Sequence, residues 1–228
     1  MHIDIISDVI CPWCFIGKRR LERALALRPE IAADIAWRPF QLNPEMPREG
    51  MDRKAYIAAK FGAAAPADRI YASVAAAGAG VDIPFAFDRI RRTPNTRDAH
   101  RLIRLAGAEG RADAAVEALF RSHFVDGRDI GDVAVLAEIG GEIGLDGEET
   151  RRWLESPAAV DDVIAEDRGA RRLGINAVPC FVFAGQYAVS GAQDPEFFLP
   201  VFDLVNQGSG VRDQESEAQK GPHLISDP

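Results

Sequence analysis

The sequence predicts an α/β protein built on a mixed sheet, and three stretches carry that prediction. The run from His2 to Ser7 alternates apolar and polar residues, gives way to an amphipathic helical pattern, and is followed by a second strand-like run around Asp34 to Phe40. Near the other end, Ile175 to Ser190 reads as two short apolar strands joined at Gly185-Gln186, a hairpin, with a further helical pattern behind it. Between these ends, residues 51 to 173 are alanine-rich and repeat their apolar positions at helical spacing.

Taken in order, the first strand places Ile3 and Ile5 on one face with Asp4 between them. The helix after it starts near Pro12, a residue suited to a first turn, and carries Trp13, Ile16, Leu21, Ala24 and Leu25 before Pro29 stops it. A strand, a crossover helix and a second strand should pair in parallel, whereas the late hairpin is antiparallel, so the sheet is mixed. The turn-rich Asn43-Pro44-Glu45-Met46-Pro47 closes this first unit. Helices are expected over 55–61, 66–77, 95–106, 111–125, 131–138, 148–155 and 157–173, with Asn95 and Asp98 reading as a cap and a first-turn acid. Gly174 suits the end of the last of these. Pro179 stands just before a strand, which calls for an edge, an entry residue or a special turn, and a cis Val178-Pro179 bond is one such turn. Asp194-Pro195 resembles a cap and first helical residue ahead of Phe197, Phe198, Val201, Phe202 and Val205. Beyond Gly208 the composition is polar and a disordered tail is expected.

Chemistry concentrates where the first strand becomes the first helix, at Cys11-Pro12-Trp13-Cys14. A thiolate is the nucleophile of disulfide exchange, and a helix start, with unpaired N–H groups and the positive end of its dipole, favours an anion. Cys11 falls there and is read as the attacking thiol. Cys14, one turn further on, is placed to resolve a mixed disulfide on Cys11. Zinc also uses this spacing, but a four-ligand site needs two more partners, and Cys180, His2, His100, His123 and His223 offer no ligand-like spacing. No metal is therefore expected, and His100 is read as a core or surface residue. Cys180, directly after Pro179, is a candidate third thiol, although the preferred reading is a half-buried strand residue, which suits cysteine.

Three cysteines in 228 residues do not make a disulfide scaffold, which leaves the close pair for chemistry. The net charge of -8 argues against a general nucleic-acid surface, and no segment reaches about 18 apolar residues, so neither nucleic acid nor membrane is an expected partner. The arginines at 89, 91, 92, 97, 101 and 104 read as a solvated helix face. A strand-like start offers no signal peptide, so a cytoplasmic location is expected, where the thiol pair would cycle and not persist as a structural bridge.

Several motifs occur in an order that resembles one family. They are Ser7-Asp8-Val9-Ile10-Cys11-Pro12-Trp13-Cys14-Phe15-Ile16-Gly17, Pro94-Asn95-Thr96 with Ala99-His100-Arg101, Gly174-Ile175 through Val178-Pro179, and Val189-Ser190-Gly191-Ala192-Gln193. Together they resemble the DsbA-like thiol:disulfide oxidoreductases of the thioredoxin superfamily, and especially the FrnE-type group. The resemblance implies a thioredoxin-like domain over 1–43 and 174–208, a large inserted all-helical domain over 44–173, and a tail over 209–228. It further implies that Val178-Pro179 is cis and that Pro12, Trp13, Val178 and Pro179 shape the groove for an extended substrate. A protein or small-molecule thiol or disulfide is then the substrate, glutathione or thioredoxin the reducing partner, and no cofactor is tightly bound, with glutathione as a candidate co-substrate. Homodimers are common among such relatives.

Two other readings stay open. Kappa-type glutathione transferases and 2-hydroxychromene-2-carboxylate isomerases share the helical-insertion plan and bind glutathione, but a serine commonly stands where Cys11 is. A chaperone-like binder would use apolar surface and need neither thiol.

Overall fold

The computed structural model describes residues 1–62 and 67–207; the expected helix start at Pro66 and the expected tail over 209–228 lie outside the described residues. Strand β1 (His2–Ser7) buries Ile3 and Ile5, the two residues its alternation aligns. Helix α1 (Pro12–Ala26) follows with proline in its first turn, and β2 (Asp34–Pro39) returns parallel to β1. The chain then runs through β3 (Met51–Asp52), α2 (Arg53–Phe61), α3 (Ala67–Ala79), β4 (Arg92–Thr93), α4 (Arg97–Ala108), α5 (Ala112–Phe124), α6 (Val133–Glu142), α7 (Gly147–Glu155) and α8 (Val160–Arg172). It re-enters the sheet as β5 (Cys180–Phe183) and β6 (Tyr187–Ser190). The main sheet is mixed, in the order β2-β1-β5-β6, with β5 antiparallel to both neighbours.

Aspartates start three of the helices. Asp52, Asp132 and Asp146 accept from the N–H groups of Ala55, Ala134 and Glu149 at 3.0, 2.7 and 2.8 Å. Helix α4 begins two residues later than its spacing suggests. Thr96 holds the cap position, while the Asn95 carbonyl accepts from Arg97 N–H (3.0 Å) and its amide donates to the Met46 carbonyl (2.7 Å), so Asn95 serves the loop as much as the helix. Asp194 likewise does not cap: it pairs with Arg20 at 3.0 Å, and a 3-10 turn over Pro195–Phe197 leads into a helical run over 199–207. The β3–β4 ribbon, two residues per strand within the otherwise helical stretch, is too short to leave a periodic trace.

The hairpin turn sits one residue earlier than Gly185-Gln186. Gln186 N–H donates to the Phe183 carbonyl at 3.0 Å, which makes Ala184 and Gly185 the central pair, both left-handed at φ 50° and 67°. A turn of this kind needs positive φ at both positions, and alanine there looks like strand in the sequence because its apolar side chain conceals the requirement. Gly174, at φ 83°, ends α8 as expected.

Helix α1 is shared by two cores. One face carries Phe15 and Ile16 into a cluster with Leu102, Leu119, Phe120 and Phe124, where Phe15 stacks on Phe120 at 4.9 Å. Its other face puts Leu21 and Ala24 against Ile3, Phe181, Phe183 and Phe198. An ion cluster around the buried Lys18, with carboxylates that reach the surface, fixes the same helix to α5. Lys18 meets Asp113 at 3.1 Å and Glu117 at 3.4 Å, and also bonds Glu22. Burial alone would lower the Lys18 ammonium, but these carboxylates outweigh it and hold its pKa raised.

The arginine group is not uniformly a solvated face. Arg89, Arg91, Arg92 and Arg104 are exposed, yet Arg101 is only 1% exposed. Its guanidinium donates to Asp98 (2.8 Å) and to the carbonyls of Trp153, Leu154, Ser156 and Ala158 at 2.7–3.0 Å. Those carbonyls belong to the end of α7 and the loop after it, where helical donors run out; that of Trp153 also accepts from the Ser156 N–H at 3.2 Å and the Ser156 hydroxyl at 2.6 Å. Arginine, with five donors in a fixed fork, is the one side chain able to serve so many at once, and helical spacing alone cannot distinguish that role from exposure.

His123 is the second buried surprise. It is 1% exposed, neither ring nitrogen makes a well-formed hydrogen bond, and its ring meets Phe124 edge-on at 4.7 Å. Burial first, and then the Arg53 charge, lower its pKa to about 3. Between pH 6.5 and 3 the unfolded chain binds a proton that the folded one refuses, so stability falls as the pH drops, by about 1.4 kcal/mol per unit from this residue. Urea melts across that window should show a shallower acid limb in His123→Leu than in the native chain; parallel limbs would show that His123 does not set the acid response.

Candidate active site

Cys11 occupies the cap position of α1, immediately before Pro12, and its own N–H donates to the Asp8 carbonyl at 3.0 Å. The tight turn from Asp8 to Cys11 sets this residue at the helix start, where it makes no side-chain cap bond and leaves its thiol free for other partners. The Cys11 Sγ lies 3.6 Å from the Val178 carbonyl oxygen, and the Val178-Pro179 bond is cis. Two stretches 167 residues apart thus meet at one sulfur. Cys11, Cys14 and Cys180 are all free thiols.

Cys14 is 1% exposed, one turn inside the helix. Burial first, and then the adjacent Cys11, raise its pKa well above the usual thiol range, so it waits protonated behind the outer sulfur. Trp13 between them is 39% exposed and offers an aromatic face at the rim. Cys180 packs with Ile6, Phe40 and Ala170, a different cluster from the one that holds Cys11 and Cys14, and burial raises its thiol too. Along β5 it faces away from Phe181, the side chain turned toward α1, as strand alternation requires.

Beside Cys11 opens a mostly apolar pocket of about 230 Å³, lined among others by Trp13, Arg53, Tyr56, Lys60 and Tyr71. Arg53 donates to the Tyr71 hydroxyl (2.6 Å) and to Thr93 Oγ1 (3.0 Å), and Lys60 donates to the Tyr56 hydroxyl (2.7 Å). Both cations are therefore held by hydroxyl groups, and among the described residues neither forms an ion pair. Tyr56 is anchored in turn by Asn43 at 3.0 Å.

The Val178-Pro179 stretch is held against the helix by three contacts. Gly17 has no side chain where a Cβ would stand 2.9 Å from Pro179 Cγ and 3.1 Å from Phe181 Cζ. Gly191 N–H donates to the Pro179 carbonyl at 2.8 Å, and Arg20 of α1 bonds the carbonyl of Ala192, the residue after Gly191. Among the described residues, no group of three or more His, Cys, Asp and Glu side chains is placed to hold a metal ion, and no helix is long and apolar enough to cross a membrane.

The profile of the DsbA-like thioredoxin domain matches residues 2–202. The chain belongs to the DsbA-like thioredoxin family. Among solved structures, a probable DsbA oxidoreductase from Streptomyces coelicolor is 32% identical, with a TM-score of 0.80 over 100% of this chain and 94% of that one. The same fold recurs in 2-hydroxychromene-2-carboxylate isomerase, at 17% identity and TM-score 0.64, over 96% of this chain and 99% of that one. It recurs again in the cytosolic disulfide reductase DsbM of Pseudomonas aeruginosa, solved with glutathione, at 18% identity and TM-score 0.62, over 94% and 100% of the two chains.

Within this DsbA-like chain the structure brings Cys11 to Val178-Pro179, sets Pro12 and Trp13 along the pocket beside it, and buries Cys14 one turn further on. Sequence reasoning assigned no role to Gly17, Arg20, Arg53, Tyr56, Lys60 or Tyr71. A glycine inside a helical run is a signal of close approach, and Arg53, Tyr56 and Lys60 share one helix face at three- and four-residue spacing. Gly17→Ala would gain roughly 1 kcal/mol of helix propensity but overpack the Pro179 contact by about 1–3 kcal/mol. The expected net result is a lower urea midpoint; a raised one would mean that the Val178-Pro179 stretch yields freely.

Proposed function

We propose that the protein is a thiol:disulfide oxidoreductase in which Cys11 attacks and Cys14 resolves. The observation that carries this reading is the placement of Cys11 Sγ at a helix cap, 3.6 Å from the carbonyl that precedes a cis proline, with Cys14 buried behind it. The Cys11 thiolate attacks one sulfur of a substrate disulfide and releases the other as a thiolate. Cys14 then displaces the substrate sulfur from Cys11, so the dithiol becomes a disulfide and the substrate leaves reduced. The reverse sequence oxidises a substrate dithiol. The Val178 carbonyl and the Trp13 face align an extended chain across the sulfur, and Pro12 and Pro179 shape the floor.

Glutathione is the small thiol that this reading assigns as reductant, in a cytoplasmic setting. It carries two carboxylates, and Arg53 and Lys60 present positive charge to the pocket beside Cys11. Arg53→Met should raise the KM for glutathione about tenfold, the worth of one exposed charge-assisted contact, with little change in kcat. An unchanged KM would remove Arg53 from glutathione binding.

The fold shared with 2-hydroxychromene-2-carboxylate isomerase keeps a second reading in view, a glutathione-dependent isomerase or transferase. An intact pair of thiols favours the first, because conjugation or isomerisation has no need of a resolving cysteine. Equilibration in graded glutathione buffers, trapped by alkylation and read by peptide mass, separates them. A two-electron transition confined to Cys11 and Cys14 is expected, and its midpoint distinguishes a reductase from an oxidant within the range of about -270 to -120 mV of related dithiols. Glutathione binding with no Cys11–Cys14 disulfide at any ratio would give the second reading priority.

A further inference from the structure

Behind Cys14 lies a set of buried polar groups that two-thiol chemistry leaves unexplained. Ser7, Asp8 and His100 are 4%, 0% and 5% exposed. The Ser7 hydroxyl neighbours the Cys14 thiol yet makes no well-formed hydrogen bond. One Asp8 oxygen accepts from Leu42 N–H at 2.7 Å; the other has no hydrogen-bond partner and faces His100 Nε2 at 3.4 Å. His100 Nε2 is also 3.2 Å from the Phe40 carbonyl. A carbonyl can only accept, so Nε2 carries a hydrogen, and in the neutral ring Nδ1 is then the acceptor.

Ser7 and His100 line the same small cavity, of about 20 Å³, otherwise walled by Val9, Trp37, Ile103 and Val116 among others. That is room for one water molecule, for which roughly 10–15 Å³ suffices. Leaving polar atoms unpaired in an apolar interior costs about 1–3 kcal/mol each, so their grouping beside a thiol that must lose a proton calls for a use.

We propose that Ser7, His100 and Asp8 form the proton relay for the resolving step. The proposal rests on the reading that Cys14 resolves. As the Cys14 sulfur attacks Cys11 in the mixed disulfide, its proton passes to the Ser7 hydroxyl, which hands its own through a water in the cavity to His100 Nδ1. The Asp8 carboxylate beside Nε2 supports the imidazolium that results. The Cys14–Cys11 bond forms, the bond from Cys11 to the substrate sulfur breaks, and the departing thiolate takes a proton from solvent while His100 returns its own. Two electrons move from the dithiol to the substrate and no further reactant is required.

Among the described residues, the charged and titratable groups packed around the relay include Cys180 on β5, which pairs with Ile6 and packs with Phe40. They also include Cys11 and Cys14 on α1, Asp8 after β1, His100 on α4, and Arg38 on β2, whose guanidinium is engaged by Asp4 at 2.6 Å and Glu166 at 4.0 Å. Helix α5 contributes the apolar Val116.

Ellman's reagent tests the relay, because it releases one coloured thiolate when Cys11 attacks and a second when Cys14 resolves. In stopped flow, Ser7→Ala and His100→Asn should leave the first phase within twofold and slow the second about 100-fold near neutral pH, the usual worth of a positioned base. The deficit should shrink as the pH rises and hydroxide ionises Cys14 directly. Asp8→Asn, which keeps an acceptor for Leu42, should show the same loss. A second phase unchanged in Ser7→Ala and His100→Asn, or both phases slowed alike at every pH, would overturn the relay. Absence of a second release in the native protein itself would instead show that Cys14 does not resolve, and the underlying reading would fall first.

Discussion

The site depends on how closely α1 can approach the chain at Val178-Pro179. Gly17 sets that distance: any side chain there would press on Pro179 and Phe181, and the carbonyl of Val178 would leave the reach of Cys11. Because the opposite face of α1 is committed to Phe120 and its neighbours, the helix cannot retreat to relieve a clash. Close packing on both sides makes its position a consequence of two cores at once, and the sulfur at its start inherits that rigidity.

The ground under Cys14 is held by a different device. The segment 40–42 is tied down from three directions: Phe40 N–H donates to the Ser7 carbonyl (3.0 Å), Leu42 N–H donates to Asp8 (2.7 Å), and Gln41 N–H donates to Asp167 of α8 (2.8 Å). Arg171 of α8 adds a cation–π contact to Phe40 at 4.2 Å. Residues next to a strand end, which would ordinarily meet water, are thereby brought into the interior with their hydrogen bonds intact, and they place the Phe40 carbonyl where it orients the His100 ring.

Much of this was legible beforehand, and the boundary has a physical cause. Periodicity found the sheet and the long helices because burial repeats along those elements, and the thiol pair stood out because its spacing and its place at a strand-to-helix junction coincide. Arg101 and His123 escaped the same logic. Both sit on helices whose exposed and buried faces are assigned from apolar residues, and a polar residue turned inward looks like any other polar residue. The turn at Ala184 and the displaced cap at Asn95 were missed by one residue, since a left-handed alanine or a side chain shared between loop and helix leaves no compositional mark. The pocket beside Cys11 is assembled from α2, α3 and the helix start, and such a meeting is a property of tertiary packing alone.

Cys11 is 5% exposed, hemmed by the Val178 carbonyl on one side, with Trp13 standing at the rim. A sulfur with so narrow an opening acts as a sieve for mobility. Disulfide exchange needs three sulfurs close to a line, so the incoming bond must be fed end-on through the gap. A small disulfide would satisfy that condition, as would one carried by a loose polypeptide loop, whereas a disulfide pinned to the surface of a folded neighbour would not tilt into line. In the proposed exchange, the enclosure of one atom would therefore favour disulfides free to reorient over those fixed in a folded surface.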